Sequence, residues 1–162
     1  RHDFPYRLAG KPFPDKAPVL IASVKEHVRA FATSVGVSTS QIVIGGRSMG
    51  GRMCSMAIAD EIDPLEVAGL VLVSYPLHPP KKPDALRIEH LPRVTVPTLC
   101  VSGTKDNFGT PDELRSAFSV VPGVVTWSFV DNGRHELAKA DAEVAERPAP
   151  GEDPRHRAAE LT

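Results

Sequence analysis

The chain has 162 residues, 19 basic against 20 acidic side chains and 41% hydrophobic residues, which suits one soluble domain with its own core. A net charge of -1 gives no electrostatic reason to expect nucleic acid or an acidic membrane as a partner. No stretch approaches the ~20 apolar residues of a membrane span.

The first residues, "RHDFPYR", lack a methionine and read as a processed or truncated start. Residues 1–14 hold Phe4, Tyr6, Leu8 and Phe13 among three prolines, so they predict no regular element. From Ala17, the apolar positions Leu20, Ile21, Val24, Val28, Phe31 and Val35 recur at helical spacing, with Pro18 in the first turn and Gly36 as terminator. "QIVIG" reads as a short buried strand. Met49, Met53, Met56 and Ala57 then make one apolar face of a second helix.

The continuous apolar run Val67–Tyr75 predicts a strand covered on both faces. Residues 76–97 are rich in proline and charge and predict a loop with a short helix around Asp84–Glu89. "PTLCVSG" is the next strand. "TPDELRSAFSVV" is a helix capped by Thr110 with Pro111 at its first position. "VVTWSFV" is another strand, followed by the turn "DNGRHE" and a last helix near Leu137–Glu146. The domain is expected to cover 1–146, and the Pro- and charge-rich stretch 147–162 to form a disordered tail. Cys54 sits in a helical pattern and Cys100 in a strand; both read as buried small hydrophobes, and a reducing, cytoplasmic compartment is expected.

Strands alternating with helices predict an α/β fold, a mostly parallel sheet of about four strands flanked by helices. Chemistry in such sheets gathers at the carboxyl ends of the strands. Three loops there carry candidates: Ser48, Asp106 and His135. Ser48 lies in "GGRSMGG", a G-x-S-x-G turn between a strand and a helix. That turn holds a serine in a strained backbone which small neighbours permit, and aims the Met49 N–H at a developing oxyanion. A serine hydroxyl needs a base, and a histidine base needs a carboxylate to set its tautomer. The order Ser48, Asp106, His135 suits that relay.

The same residues admit other readings. As a phosphate loop the glycine stretch lacks a following Gly-Lys-Ser/Thr, and as a dinucleotide fingerprint it lacks G-x-G-x-x-G spacing. Asp112 fits the first turn of a helix, and Asp131 lies in ordinary "DNG" turn chemistry, which leaves Asp106 as the better orienter. His27 reads as a solvated helix position, and His2, His90 and His156 have no supporting pattern. His78 in "SYPLHPP" leaves a strand at the active edge and is a candidate pocket residue, or equally a loop histidine fixed by prolines.

The blocks "IVIGGRSMGGRM", "VSYPLHPPKKP", "LPRVTVPTLCVSGTKDNFGTPDEL" and "NGRHEL" resemble a group of α/β-hydrolase-like proteins related to dienelactone hydrolases, which includes testis-expressed and NSL-complex subunits of animals. The resemblance spans most of residues 3–140. It implies Ser48 as nucleophile, Asp106 as acid and His135 as base; serine hydrolysis by these residues would take a small-molecule acyl substrate and neither metal nor organic cofactor. It also implies that "RHDFPYR" is the end of a strand and that the fold is amino-terminally truncated, without its first strands and the second oxyanion donor. "QIVIG" would then be a bare apolar edge open to self-association. Two functions follow: serine hydrolysis of an ester, thioester or lactone, or a non-catalytic module that keeps the fold and binds a protein.

Overall fold

The computed structural model describes residues 2–137. The expected helix near 137–146 and the tail from 147 lie outside the described residues, apart from Leu137 itself. Four parallel strands form one sheet in the order β1 (Val43–Arg47), β2 (Gly69–Val73), β3 (Thr98–Gly103) and β4 (Val125–Val130). Helices α1 (Pro5–Leu8), α2 (Ala17–Val35), α3 (Met49–Ile58) and α4 (Pro111–Phe118) flank it. The α/β sheet expected from the alternating pattern is therefore the fold observed.

Local sequence accounts for the elements. In α2, Pro18 stands in the first turn, where its missing N–H costs nothing, and Gly36 closes the helix at φ 72°. The Thr110–Glu113 capping box starts α4. In β2, Leu70 and Leu72 are each 1% exposed, as a covered central strand requires. The core joins them to Leu20 and Val24 of α2, Met53, Cys54 and Ala57 of α3, and Leu114 and Phe118 of α4. Phe118 meets both Tyr75 and Trp127 edge to face, which ties α4 to β4 and to the segment that leaves β2.

Three expectations are corrected. The strand read at 41–45 begins two residues later, because a Ser38/Gln41 capping box folds Thr39–Gln41 into a 3-10 turn. No helix forms around Asp84–Glu89. There the Arg87 N–H donates to the Leu77 carbonyl, the Arg87 guanidinium to the Pro76 carbonyl and the Tyr75 hydroxyl to the Arg87 carbonyl, so the segment pairs with 75–77 instead of with itself. A 3-10 turn follows at Leu91–Arg93. "RHDFPYR" is not a strand end: Pro5–Leu8 is a short helix started by Pro5.

Among the described residues, β1 has one strand neighbour, β2. The Ile42 carbonyl accepts from Ala68, and the Ser48 N–H donates to Val73. Backbone groups of even-numbered residues thus face β2, and those of Val43, Gly45 and Arg47 face away from it. A groove of about 780 Å³ runs along this side to Ser48, lined by Tyr6, Val28, Phe31, Ile44 and Met49.

Candidate active site

The turn from β1 into α3 allows very little room. A Cβ at Gly46 would stand 2.5 Å from the backbone of Gly50 and Gly51, and one at Gly51 would stand 2.5 Å from the Gly46 carbonyl. The strand therefore reverses into the helix at a spacing that side chains forbid. Gly50, the second glycine of the G-x-S-x-G pattern, has open space at its Cβ position. The glycine that the turn needs is its neighbour Gly51, a point the motif alone does not show.

Ser48 sits at the apex with φ 50° and ψ -121°, a backbone region costly for a residue with a side chain. It is the N-cap of α3, yet its hydroxyl caps nothing, unlike most serines at that position. Its Oγ lies 2.8 Å from His135 Nε2. The Met49 N–H is the first of the helix and has no carbonyl four residues back to bond. It is one of the exposed donors that give a helix amino end its partial positive charge.

Asp106 leaves β3 on a short turn and is 2% exposed. Its Oδ2 stands 2.9 Å and its Oδ1 3.1 Å from His135 Nδ1. An ionised carboxylate only accepts, so Nδ1 carries the proton, Nε2 holds a lone pair and the Ser48 hydroxyl donates to it. Oδ1 also accepts the Phe108 N–H at 2.9 Å. The His135 loop is seated on β3 by a second glycine contact: a Cβ at Gly103 would collide with the Gly133 carbonyl. Arg47 reaches across from β1 and donates to the His135 carbonyl at 3.1 Å.

The competing carboxylates lie elsewhere. Asp131 accepts from Thr104 and Asn132, and Asp112 is in the first turn of α4. His78 is buried beneath the acid loop and does not line the Ser48 groove. Its Nδ1 donates to the Pro79 carbonyl at 3.0 Å and its Nε2 is 3.7 Å from Glu113. His27 is exposed and stacks on His2.

Sequence reasoning missed a buried serine–histidine pair, Ser55 Oγ to His90 Nε2 at 2.8 Å. Ser55 is 0% and His90 5% exposed. The Ser55 hydroxyl donates to the Arg52 carbonyl at 2.8 Å, so its Oγ accepts from His90, whose Nε2 must carry the proton. Burial, then the nearby Arg52, lowers the His90 pKa to about 4. Burial also raises the thiols of Cys54 and Cys100, to about 11 and about 12. Both cysteines are inert small hydrophobes, as their placement in apolar patterns suggested. Among the described residues, no group of three or more His, Cys, Asp or Glu side chains could hold a metal ion, and no helix is long and apolar enough to cross a membrane.

A parallel sheet with a serine turn after one strand, an acid after a later one and a histidine after the last defines the α/β-hydrolase class. Residues 1–149 match the family model described as "Alpha/beta hydrolase domain", and the chain belongs to that family. Solved structures agree on the fold. An alpha-beta serine hydrolase homologue from Coxiella burnetii superposes with a TM-score of 0.64 at 16% identity, covering 84% of this chain and 60% of its own. Thermogutta terrifontis esterase 2 gives 0.59 at 18% identity, covering 85% and 66%. A monoacylglycerol lipase from Paleococcus ferrophilus gives 0.56 at 12% identity, covering 77% and 73%. The chain thus spans about six tenths of the Coxiella protein's length.

Proposed function

We propose that the protein is a serine hydrolase acting on an ester, thioester or lactone. The observation that carries this reading is the continuous bond line from Asp106 through His135 to Ser48, at 2.9 and 2.8 Å. His135 Nε2 takes the Ser48 proton as Oγ attacks the acyl carbon, and Asp106 holds the imidazole in the required tautomer and offsets the charge it gains. The Met49 N–H donates to the oxyanion. The imidazolium returns its proton to the departing alcohol or thiol; water then attacks the acyl-serine with His135 as base, the acyl–Oγ bond breaks, and His135 returns the proton to Ser48 as the carboxylic acid leaves. A small acyl compound is the partner in this reading, and no metal or organic cofactor takes part. We place the chemistry in the cytosol on the strength of the two buried free thiols. The dienelactone-hydrolase-like resemblance of the "GGRSMGGRM" and "YPLHPP" blocks supports the same chemistry.

Stopped-flow hydrolysis of p-nitrophenyl esters by the purified protein tests this. A burst stoichiometric with protein, accompanied by an acyl adduct in the intact mass, is expected. A folded protein giving neither burst nor adduct would favour the non-catalytic binding module.

The side of β1 that faces away from β2 supports a second proposal, self-association. Val43 is 59% exposed, no charged residue lies between Ile42 and Gly46, and Val43 and Gly45 turn their backbone groups away from β2. Light scattering of the 162-residue chain is expected to show mass rising with concentration; a constant monomer mass would refute it.

A further inference from the structure

We propose that Phe108 is a positioning residue for the His135–Asp106 pair, an inference that rests on the proposed hydrolase reading. Phe108 touches both members of the pair. Its backbone N–H donates to Asp106 Oδ1 at 2.9 Å, the oxygen that also faces His135 Nδ1 at 3.1 Å. Its ring lies against the His135 imidazole with centroids 4.1 Å apart and planes 32° from parallel.

His135 is tethered at Cβ and bonded to Asp106 and Ser48 through its two ring nitrogens. Hydrogen bonds that leave the nitrogens near the ring plane oppose displacement out of that plane least, and a contact on the ring face is what resists it. The Phe108 ring supplies that contact.

Residue 108 is itself held from below. Its carbonyl accepts the His78 N–H at 3.1 Å, and the adjacent Gly109 is packed so closely that a Cβ there would stand 3.0 Å from Leu77 and 3.3 Å from Leu114. This assigns a place to "YPLHPP" that the triad alone does not. The segment after β2 buttresses the acid loop through the His78 N–H, and the loop passes the constraint to the base. The ring has a second effect. When the proton moves from Ser48 to Nε2, His135 becomes a cation, and the negative face of an aromatic ring favours a cation over a neutral imidazole. The contact therefore strengthens as the transition state is approached, which is the kind of interaction that raises kcat without tightening substrate binding.

The backbone donor to Asp106 survives any substitution other than proline, so side-chain variants isolate the ring. Phe108→Ala is expected to lower kcat for ester hydrolysis by about 3- to 30-fold, with KM within about twofold. In proton NMR, the His135 Nδ1–H resonance should broaden in this variant as the pair loosens. Phe108→Tyr keeps an aromatic face and should restore both readouts. Should Phe108→Ala fail to fold, Phe108→Leu fills the space with a branched side chain that offers no flat face to the imidazole, and is expected to show the same losses. The proposal is overturned if the alanine or leucine variant keeps kcat and a sharp Nδ1–H signal, or if the tyrosine variant loses as much as alanine. If the native protein hydrolyses no ester, the hydrolase reading fails by itself, and the Nδ1–H resonance still decides whether Phe108 orders the pair.

Discussion

Among the described residues, two serine–histidine pairs share a bond length of 2.8 Å, and they are chemical opposites. In Ser48–His135 the carboxylate of Asp106 accepts a hydrogen bond from Nδ1–H, so Nε2 carries the lone pair and is free to receive a proton from serine. In Ser55–His90 the Ser55 hydroxyl is already committed to the Arg52 carbonyl, and Nε2 of His90 is the donor. The first serine stands on strained backbone at a helix start beside a groove; the second is 0% exposed inside the same helix. Distance alone does not make a nucleophile. The third partner of each pair sets the direction of the proton.

The largest expected effect separates the two serines. Ser48→Ala should lower ester turnover by about 10⁶-fold. Ser55→Ala should leave it within about twofold while lowering stability by about 1–3 kcal/mol, since the buried His90 N–H loses its acceptor. Turnover abolished by Ser55→Ala in a folded protein would reverse the assignment.

The carboxylates come next. Asp106→Asn should cost about 10⁴-fold in kcat with little change in melting temperature, because an amide in place of the carboxylate favours the wrong His135 tautomer. Asp131→Asn and Asp112→Asn should leave kcat within a few fold. A crippled Asp131→Asn would move the acid onto the histidine's own loop.

His90 offers a pH test of the second pair. Its pKa is lowered from an ordinary 6.5 to about 4, so between those values the unfolded chain binds a proton that the folded chain refuses. Stability is then full above about pH 6.5 and falls as the pH drops towards 4, by on the order of 3 kcal/mol. Denaturation of His90→Gln across this range should show a flatter profile than the native protein, and an unchanged slope would contradict the burial of a neutral His90.

The smallest effect concerns the glycines of the turn. Gly51→Ala must displace the Gly46 carbonyl and should cost about 1–3 kcal/mol. Gly50→Ala meets open space and should be neutral or stabilising by up to about 1 kcal/mol. Equal melting temperatures for the two variants would show that the turn relaxes more easily than its geometry implies.

Much of this was readable from the chain because strand ends and turn chemistry are local. Gly46–Ser48–Gly50 between an apolar run and a helical pattern, and Asp106 and His135 each just past a strand, depend on neighbours a few residues away. What stayed hidden depends on distant partners. His90 has no local pattern, and its partner Ser55 lies 35 residues earlier; the only hint is an uncharged polar residue between Cys54 and Met56 in a helix that is otherwise apolar there. The Asp84–Glu89 stretch has helical composition but is pinned to residues 75–77 by bonds that no periodicity reveals. Gly51 rather than Gly50 meets the strand, a matter of where the helix rotates and not of the motif's spacing.

The central claim is that one serine of the two is a nucleophile. It is tested most directly by treating the purified, folded protein with a fluorophosphonate, digesting it and mapping the modified residue by mass spectrometry. The account predicts a single phosphonylated serine at Ser48 and no label in Ser48→Ala. Modification at Ser55, or none at all while a control serine hydrolase reacts fully, would contradict it.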